Sequence, residues 1–166
     1  MSWELEFFQD AHGREPVKDW LDSLDEAKQQ AALRGLSKIL AEQGPAVTAS
    51  EYGKALEQGL YEFRLRVDAQ VVLQKHAPEL LAKHPEPPRG EVLLRIYFHP
   101  HGRRLILLLG GYDKGRDPSV RQEQKQIRLA RTRFKQWRSY QGESGSPFRH
   151  WWVGTIRRQR HRKPDQ

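Results

Sequence analysis

GLYEFRLRV, residues 59–67, alternates with a period of two: Tyr61, Phe63, Leu65 and Val67 fall on one side of an extended chain, and Glu62, Arg64 and Arg66 on the other. The apolar side requires a core and so predicts a sheet strand. The charged side is either solvated surface or a surface built to hold an anion. Working outward, VLLRIYFH at 92–99 repeats the pattern, with Val92, Leu94, Ile96 and Phe98 on one face and Leu93, Arg95, Tyr97 and His99 on the other. HPHGRR at 99–104 reads as a turn. LILLLGG at 105–111 is apolar on both faces, as a central strand covered on both sides or the floor of a groove requires. Near the start, Trp3, Leu5 and Phe7 alternate with Glu4 and Glu6, which predicts a first strand.

Helical spacing fills the gaps. Pro16 suits a helix start, and Val17, Trp20, Leu21 and Leu24 form an apolar stripe. Asp25 can cap a second helix bearing Ala32, Leu33, Leu36, Ile39 and Leu40, which Gly44-Pro45 stops. The segment from about 71 to 90 is proline-rich in its second half and reads as an inserted loop, with one helical turn around Glu79 to Lys83. From Pro118, the residues Val120, Ile127, Ala130, Phe134 and Trp137 recur at helical spacing among many cations. The order is strand, two helices, three strands, helix. It predicts an α+β fold: a small twisted antiparallel sheet with helices on one side, an N-terminal helical hairpin and a C-terminal basic helix. One domain is expected over residues 1–139, with 140–166 a flexible basic linker and tail.

The 166 residues contain no cysteine, which removes disulfides and thiolate chemistry and fits a reducing cytoplasm. The acidic start MSWELEFFQD resembles neither a secretory leader nor a membrane span. The net charge of +8 is unevenly spread: residues 1–70 carry 8 Lys and Arg against 13 acids, a net of −5, whereas 121–166 carry 13 against 3, a net of +10. Such a C-terminal bias suits phosphate-bearing partners, although soluble basic helices have the same composition. His99-Pro100-His101 has no matching third ligand, and GGYDKG lacks the spacing of a phosphate loop, so no metal, cofactor or nucleotide hydrolysis is expected.

Metal-free RNA cleavage needs a 2′-hydroxyl deprotonated, a phosphorane stabilised and a leaving 5′-oxygen protonated. Arginine suits the second role, because its planar fork matches two phosphate oxygens. By strand parity Arg64, Arg66, Arg95 and Tyr97 share a face, and Tyr112, Lys114 and Arg116 close it from the end of the last strand. Arg64 pairing with Glu62 or Asp68 on a wet face is the competing reading. A phenol near pKa ~10 is a slow base at neutral pH, and cationic neighbours would depress that value. Arg64, Arg95, Tyr97, Tyr112 and Lys114 are the candidate catalytic residues; Arg66, Arg116, Arg121, Lys125 and Arg128 are candidate nucleic-acid contacts.

PVKDWLDSL, KALEQGLYEFRLR, LLRIYF, LILLLGGYDKG and QIRLARTRF, in that order, resemble the RelE/ParE toxin superfamily, most nearly its phage-derived HigB-like or Tad-like branch. The resemblance spans roughly residues 3–138. It implies a RelE-like toxin of a type II toxin–antitoxin system, inhibited by a cognate antitoxin, typically a helix-turn-helix protein, and in many members cleaving mRNA on the ribosome. The ParE branch implies a different target, DNA gyrase, and a remnant without activity is the third alternative. Where the family usually carries two adjacent lysines after the last strand, this chain has Asp113-Lys114-Gly115-Arg116.

Overall fold

The computed structural model describes residues 2–83 and 89–142. Five strands form one sheet in the order β1-β5-β4-β3-β2: β1 (Glu4–Phe7), β2 (Gly53–Ala55), β3 (Tyr61–Asp68), β4 (Glu91–His101) and β5 (Leu105–Asp113). The fold is α+β, and the sheet is mixed. β1 runs parallel to β5, Glu4 opposite Leu105, while the other three pairings are antiparallel. This corrects the expected all-antiparallel sheet. Nothing short joins β1 to β5, so no hairpin forces their direction.

α1 (Pro16–Ser23) buries Val17 and Leu21. Asp25 then accepts a hydrogen bond from the Lys28 amide at 3.0 Å and starts α2 (Glu26–Gly35), a cap that typically contributes ~1 kcal/mol. The buried Gln29 side chain donates to the Leu21 carbonyl at 2.9 Å and so fixes the angle between the two helices. α2 widens into a π-turn over Leu36–Leu40 and ends in the short α3 (Ala41–Gln43). At Gly44 the chain turns with φ of +58°, and the Trp3 indole occupies the space a side chain would need.

The segment expected as an inserted loop over 71–90 is largely helical where it is described. Asp68 accepts hydrogen bonds from the amides of Gln70 and Val71, opening α4 (Ala69–His76), and Pro78 opens α5 (Pro78–Lys83). Ala69, Val72 and Leu73 pack into the core, so local capping and burial outweigh the prolines downstream. The single helical turn foreseen at 79–83 lies inside α5. His99 to His101, expected in a turn, extend β4 instead, and the chain reverses at Gly102 with φ of +59°.

Helices cover both faces, not one. On the first face, α1, α2, the π-turn and α4 pack on Leu5, Phe63, Leu65, Leu94, Ile96, Phe98, Ile106 and Leu108. On the second, α6 (Val120–Gly142) seats Ala130, Phe134 and Trp137 against Phe8, Leu60, Tyr97, Leu107 and Leu109. The double-sided hydrophobicity of β5 requires this arrangement, since Leu107 and Leu109 need a cover as much as Ile106 and Leu108 do. The linker and tail expected over 140–166 lie outside the described residues, apart from the helical continuation through Gly142.

A bulge in β5 sets the geometry of the second face. Tyr97 pairs with Gly110 and Phe98 with Leu108, so Leu109 is passed over. Leu109 and Gly110 therefore both face α6, and strand alternation resumes one step out of phase. Arg133 of α6 donates to the Leu109 carbonyl at 2.9 Å, pinning the helix at that point. Gly111, now on the first face, lies directly beneath the Trp20 ring.

Candidate active site

Two rows of side chains cross the second face. In one, Arg64 of β3 stands opposite Arg95 of β4, which stands opposite Tyr112 of β5. In the adjacent row, Lys54 of β2 is opposite Glu62, Glu62 opposite Tyr97, and Tyr97 opposite Gly110. Directly opposed residues have Cβ atoms roughly 5 Å apart, so neighbours in both rows are within side-chain reach. Tyr112 was expected beyond the last strand. It belongs to β5 itself, and the bulge places it in the arginine row; unbroken alternation would have pointed it at α1.

Glu62 is the hub, and it is 1% exposed. Its Oε1 accepts from Arg64 Nε at 2.6 Å and lies 3.7 Å from Arg95 Nε. Arg64 therefore pairs with Glu62, as the competing reading has it, but on a buried carboxylate and not on a wet face. One buried carboxylate holds two guanidinium groups and leaves the trio with a net positive charge. The Arg64 side chain remains 34% exposed, and that of Arg95 13%. Arg95 also donates from Nη1 to the Leu94 carbonyl at 3.3 Å, while its Nε makes no hydrogen bond.

Beside this trio the rings of Tyr97 and Tyr112 lie nearly parallel, 6.4 Å between centroids. Both hydroxyl oxygens are buried and neither closes a hydrogen bond of good geometry, although the Tyr97 hydroxyl lies in reach of Glu62 and the Tyr112 hydroxyl in reach of Tyr97. Burial pushes the Tyr97 phenol far above its ordinary value, reinforced by the Glu62 charge and, more weakly, by Tyr112 and Glu123 of α6. Burial likewise raises Tyr112, with Glu123 and Glu62 adding to it, while Arg95 and the neighbouring Tyr97 hydroxyl oppose the shift without reversing it. The expected depression by cationic neighbours is thus corrected, since desolvation of the phenolate and two nearby carboxylates outweigh one guanidinium. At neutral pH both groups are proton and hydrogen-bond donors, not bases.

The other candidates lie at different distances from this centre. Arg66 shares the face by parity, yet its side chain is 74% exposed and its Nε bonds Glu91 at 3.1 Å. Lys114 is half-buried in the turn after β5, where the Arg116 amide donates to Asp113. Arg116 is exposed and lines an open cleft of about 670 Å³ between α1 and the start of α6, with Trp20, Lys28, Asp113, Gln122 and Gln126. In that cleft Lys28 meets Asp113 at 2.6 Å, a pairing that strengthens the hold of Lys28 on its proton. Arg121, Lys125 and Arg128 are exposed along α6.

His99 Nδ1 donates to the Gly59 carbonyl at 2.6 Å, and its ring lies 4.1 Å from that of Phe134. It serves to seat α6. Among the described residues no three His, Asp or Glu side chains cluster as a metal site would require.

Reasoning from sequence missed three participants. Glu123, in the first turn of α6, is near enough for its charge to raise both phenols, Lys54 extends the Glu62 row, and Asp113 is taken by Lys28. Lys54 sits in a three-residue strand too short for periodicity to show. The other two are contacts between distant segments with no local signal.

No family model, no curated protein and no solved structure matches the chain.

Proposed function

We propose that the chain is a toxin of a type II toxin–antitoxin system, RelE-like and nearest the HigB-like or Tad-like branch, acting in the cytoplasm as a metal-independent endoribonuclease on ribosome-bound mRNA. The observation that carries this reading is the Arg64–Arg95–Tyr112 row with Tyr97 beside it. Arg95 Nε, 3.7 Å from Glu62, and both phenol hydroxyls are buried polar groups that close no hydrogen bond of good geometry, gathered on one face. Leaving such groups unpaired costs ~1–3 kcal/mol each, a cost that a phosphodiester accepting their hydrogen bonds would remove. The ordered family motifs in the sequence supply the class of substrate.

In this mechanism Arg64 and Arg95 hold the non-bridging oxygens of the scissile phosphate, and Glu62 sets their forks in advance of binding. Tyr112 or Tyr97, protonated at neutral pH, donates toward the leaving 5′-oxygen. The acceptor of the 2′-hydroxyl proton is to be sought among Glu62, Glu123 and Lys114 by substitution. A cognate antitoxin, in this reading a helix-turn-helix protein, would hold the activity in check.

Expression in bacteria tests the proposal, with growth and mRNA 5′ ends as readouts. New mRNA ends and arrest are expected from the wild-type chain. Arg64→Ala and Arg95→Lys, each checked for folding by circular dichroism, should abolish both. Folded variants that cleave as well as wild type would sink the assignment, and intact mRNA with trapped gyrase–DNA complexes would transfer it to a gyrase poison.

A further inference from the structure

A second cleft lies along the same face, bounded by β2, the Leu56–Glu57 segment and α6, and has a volume of about 400 Å³. Leu56 and Ile127 form its floor, both packed on the hydrophobic cluster beneath α6. Lys54, Arg128 and Arg131 rim it, with Glu57 the one acid among the lining residues. Arg131 is oriented by its bond from Nη1 to the Glu57 carbonyl at 2.8 Å. Among the described residues, Lys54 and Arg128 make no ion pair. The first cleft differs in sign: Lys28 and Arg116 there face Asp25, Asp113 and Asp117, which disfavours a phosphate.

We propose that this second cleft is a nucleotide subsite that binds the phosphate, and seats the ribose or base, of a residue flanking the scissile bond of single-stranded RNA. The inference rests on the ribonuclease reading and extends it. Lys54 is directly opposite Glu62, so it is the diagonal neighbour of Arg64, about 7–8 Å away along the sheet. That is a step of one nucleotide from the phosphate held by Arg64 and Arg95. An apolar floor under a cationic rim is the arrangement that accepts a sugar or base together with its phosphate without reading sequence. A free carboxylate peptide would use the cations and leave the floor of Leu56 and Ile127 uncontacted.

The test is binding of the full chain to a fluorescent 2′-O-methyl oligoribonucleotide of about eight residues, which cannot be cleaved, followed by anisotropy over a range of salt concentrations. For single strands each phosphate contact contributes about 0.7 to the slope of log K against log salt. Lys54→Gln and Arg128→Gln should each lower the slope by about 0.7. Lys38→Gln, which removes an equally exposed charge from the opposite face, should leave it unchanged. Equal slopes for wild type and both cleft variants would overturn the subsite. So would a loss of affinity for polyglutamate that exceeds the loss for RNA. Cleavage by Arg95→Lys is read separately, so failure of the ribonuclease reading and failure of the subsite give different results.

Discussion

Replacing either buried phenol by phenylalanine should raise stability while lowering activity, a combination that a structural tyrosine does not give. In Tyr97→Phe the ring stays in its parallel stack with Tyr112, centroids 6.4 Å apart, and the apolar contacts are kept. What disappears is a buried hydroxyl that closes no hydrogen bond of good geometry, whose desolvation costs ~1–3 kcal/mol. Taking the lower end, because Glu62 is close enough to raise this phenol by its charge, the expected gain is about 1 kcal/mol, or roughly 2–4 °C in Tm. Tyr112→Phe should gain about as much, since its hydroxyl likewise closes no hydrogen bond of good geometry. Activity should fall by about 10²–10³-fold in Tyr112→Phe, as expected for loss of a proton or hydrogen-bond donor that faces developing negative charge.

The pH dependence adds an independent check. The folded protein retains phenolic protons that the unfolded chain gives up near pH ~10. Folding stability is therefore insensitive to pH through these groups below about pH 10 and falls as the pH climbs above it. Both substitutions should flatten that alkaline limb in thermal melts. A lower Tm in either variant would mean that the hydroxyl makes a structural hydrogen bond, and undiminished cleavage in both would remove the tyrosines from the chemistry.

Three further outcomes follow from contacts away from the arginine row. Lys28→Met strands the Asp113 carboxylate, whose side chain is only 9% exposed, and should cost about 2 kcal/mol in urea unfolding; Lys28→Met with Asp113→Leu should recover most of it. Gly111→Ala puts a methyl group into the Trp20 ring and should cost about 1–3 kcal/mol with a shift in Trp fluorescence; unchanged fluorescence and stability would contradict the close contact. Burial chiefly, with His101 and Arg138, holds the His99 imidazole below its usual value against the opposing Gly59 bond. The unfolded chain then takes up this proton first as pH falls through about 6.5, so stability intact above that pH declines below it; Tm measured on either side of pH 6.5 should show the decline, and His99→Asn should reduce it.

Most of the sheet was legible because β3 and β4 alternate without interruption, and parity alone put Arg64, Arg66, Arg95 and Tyr97 on a common face. β1 was recognised as a strand, but four residues carry no information about the direction of a neighbour a hundred positions away. α4 was missed although Asp68 is a good capping residue, because the prolines after Ala77 dominated the reading of the segment. The apolar run of β5 implied cover on both sides, yet helices were assigned to only one. Its cover on the second face is α6, whose stripe of Ala130, Phe134 and Trp137 is evident in the sequence while the face it covers is not. Distant charge contacts, such as Lys28 with Asp113, have no periodic signature at all. The phenol shifts were misjudged in sign because sequence shows which charges are near but not how much water is removed.

The bulge at Leu109 acts as a change of phase within one strand. Before it, the odd-numbered leucines of β5 seat α6; after it, the even-numbered Tyr112 takes the same side, and Gly111 and Asp113 turn to Trp20 and Lys28. Were the same residues paired without the bulge, Leu109 would stand opposite Tyr97 and Tyr112 opposite Leu94, sending the phenol toward α1 and the Asp113 carboxylate to the face of the two arginines. Deleting Leu109 would instead leave a regular strand with Tyr112 still opposite Arg95, at the cost of one leucine under α6. The phase of the last three residues therefore depends on β5 holding one residue more than its partner strand, and two glycines with no side chains to place ease that accommodation.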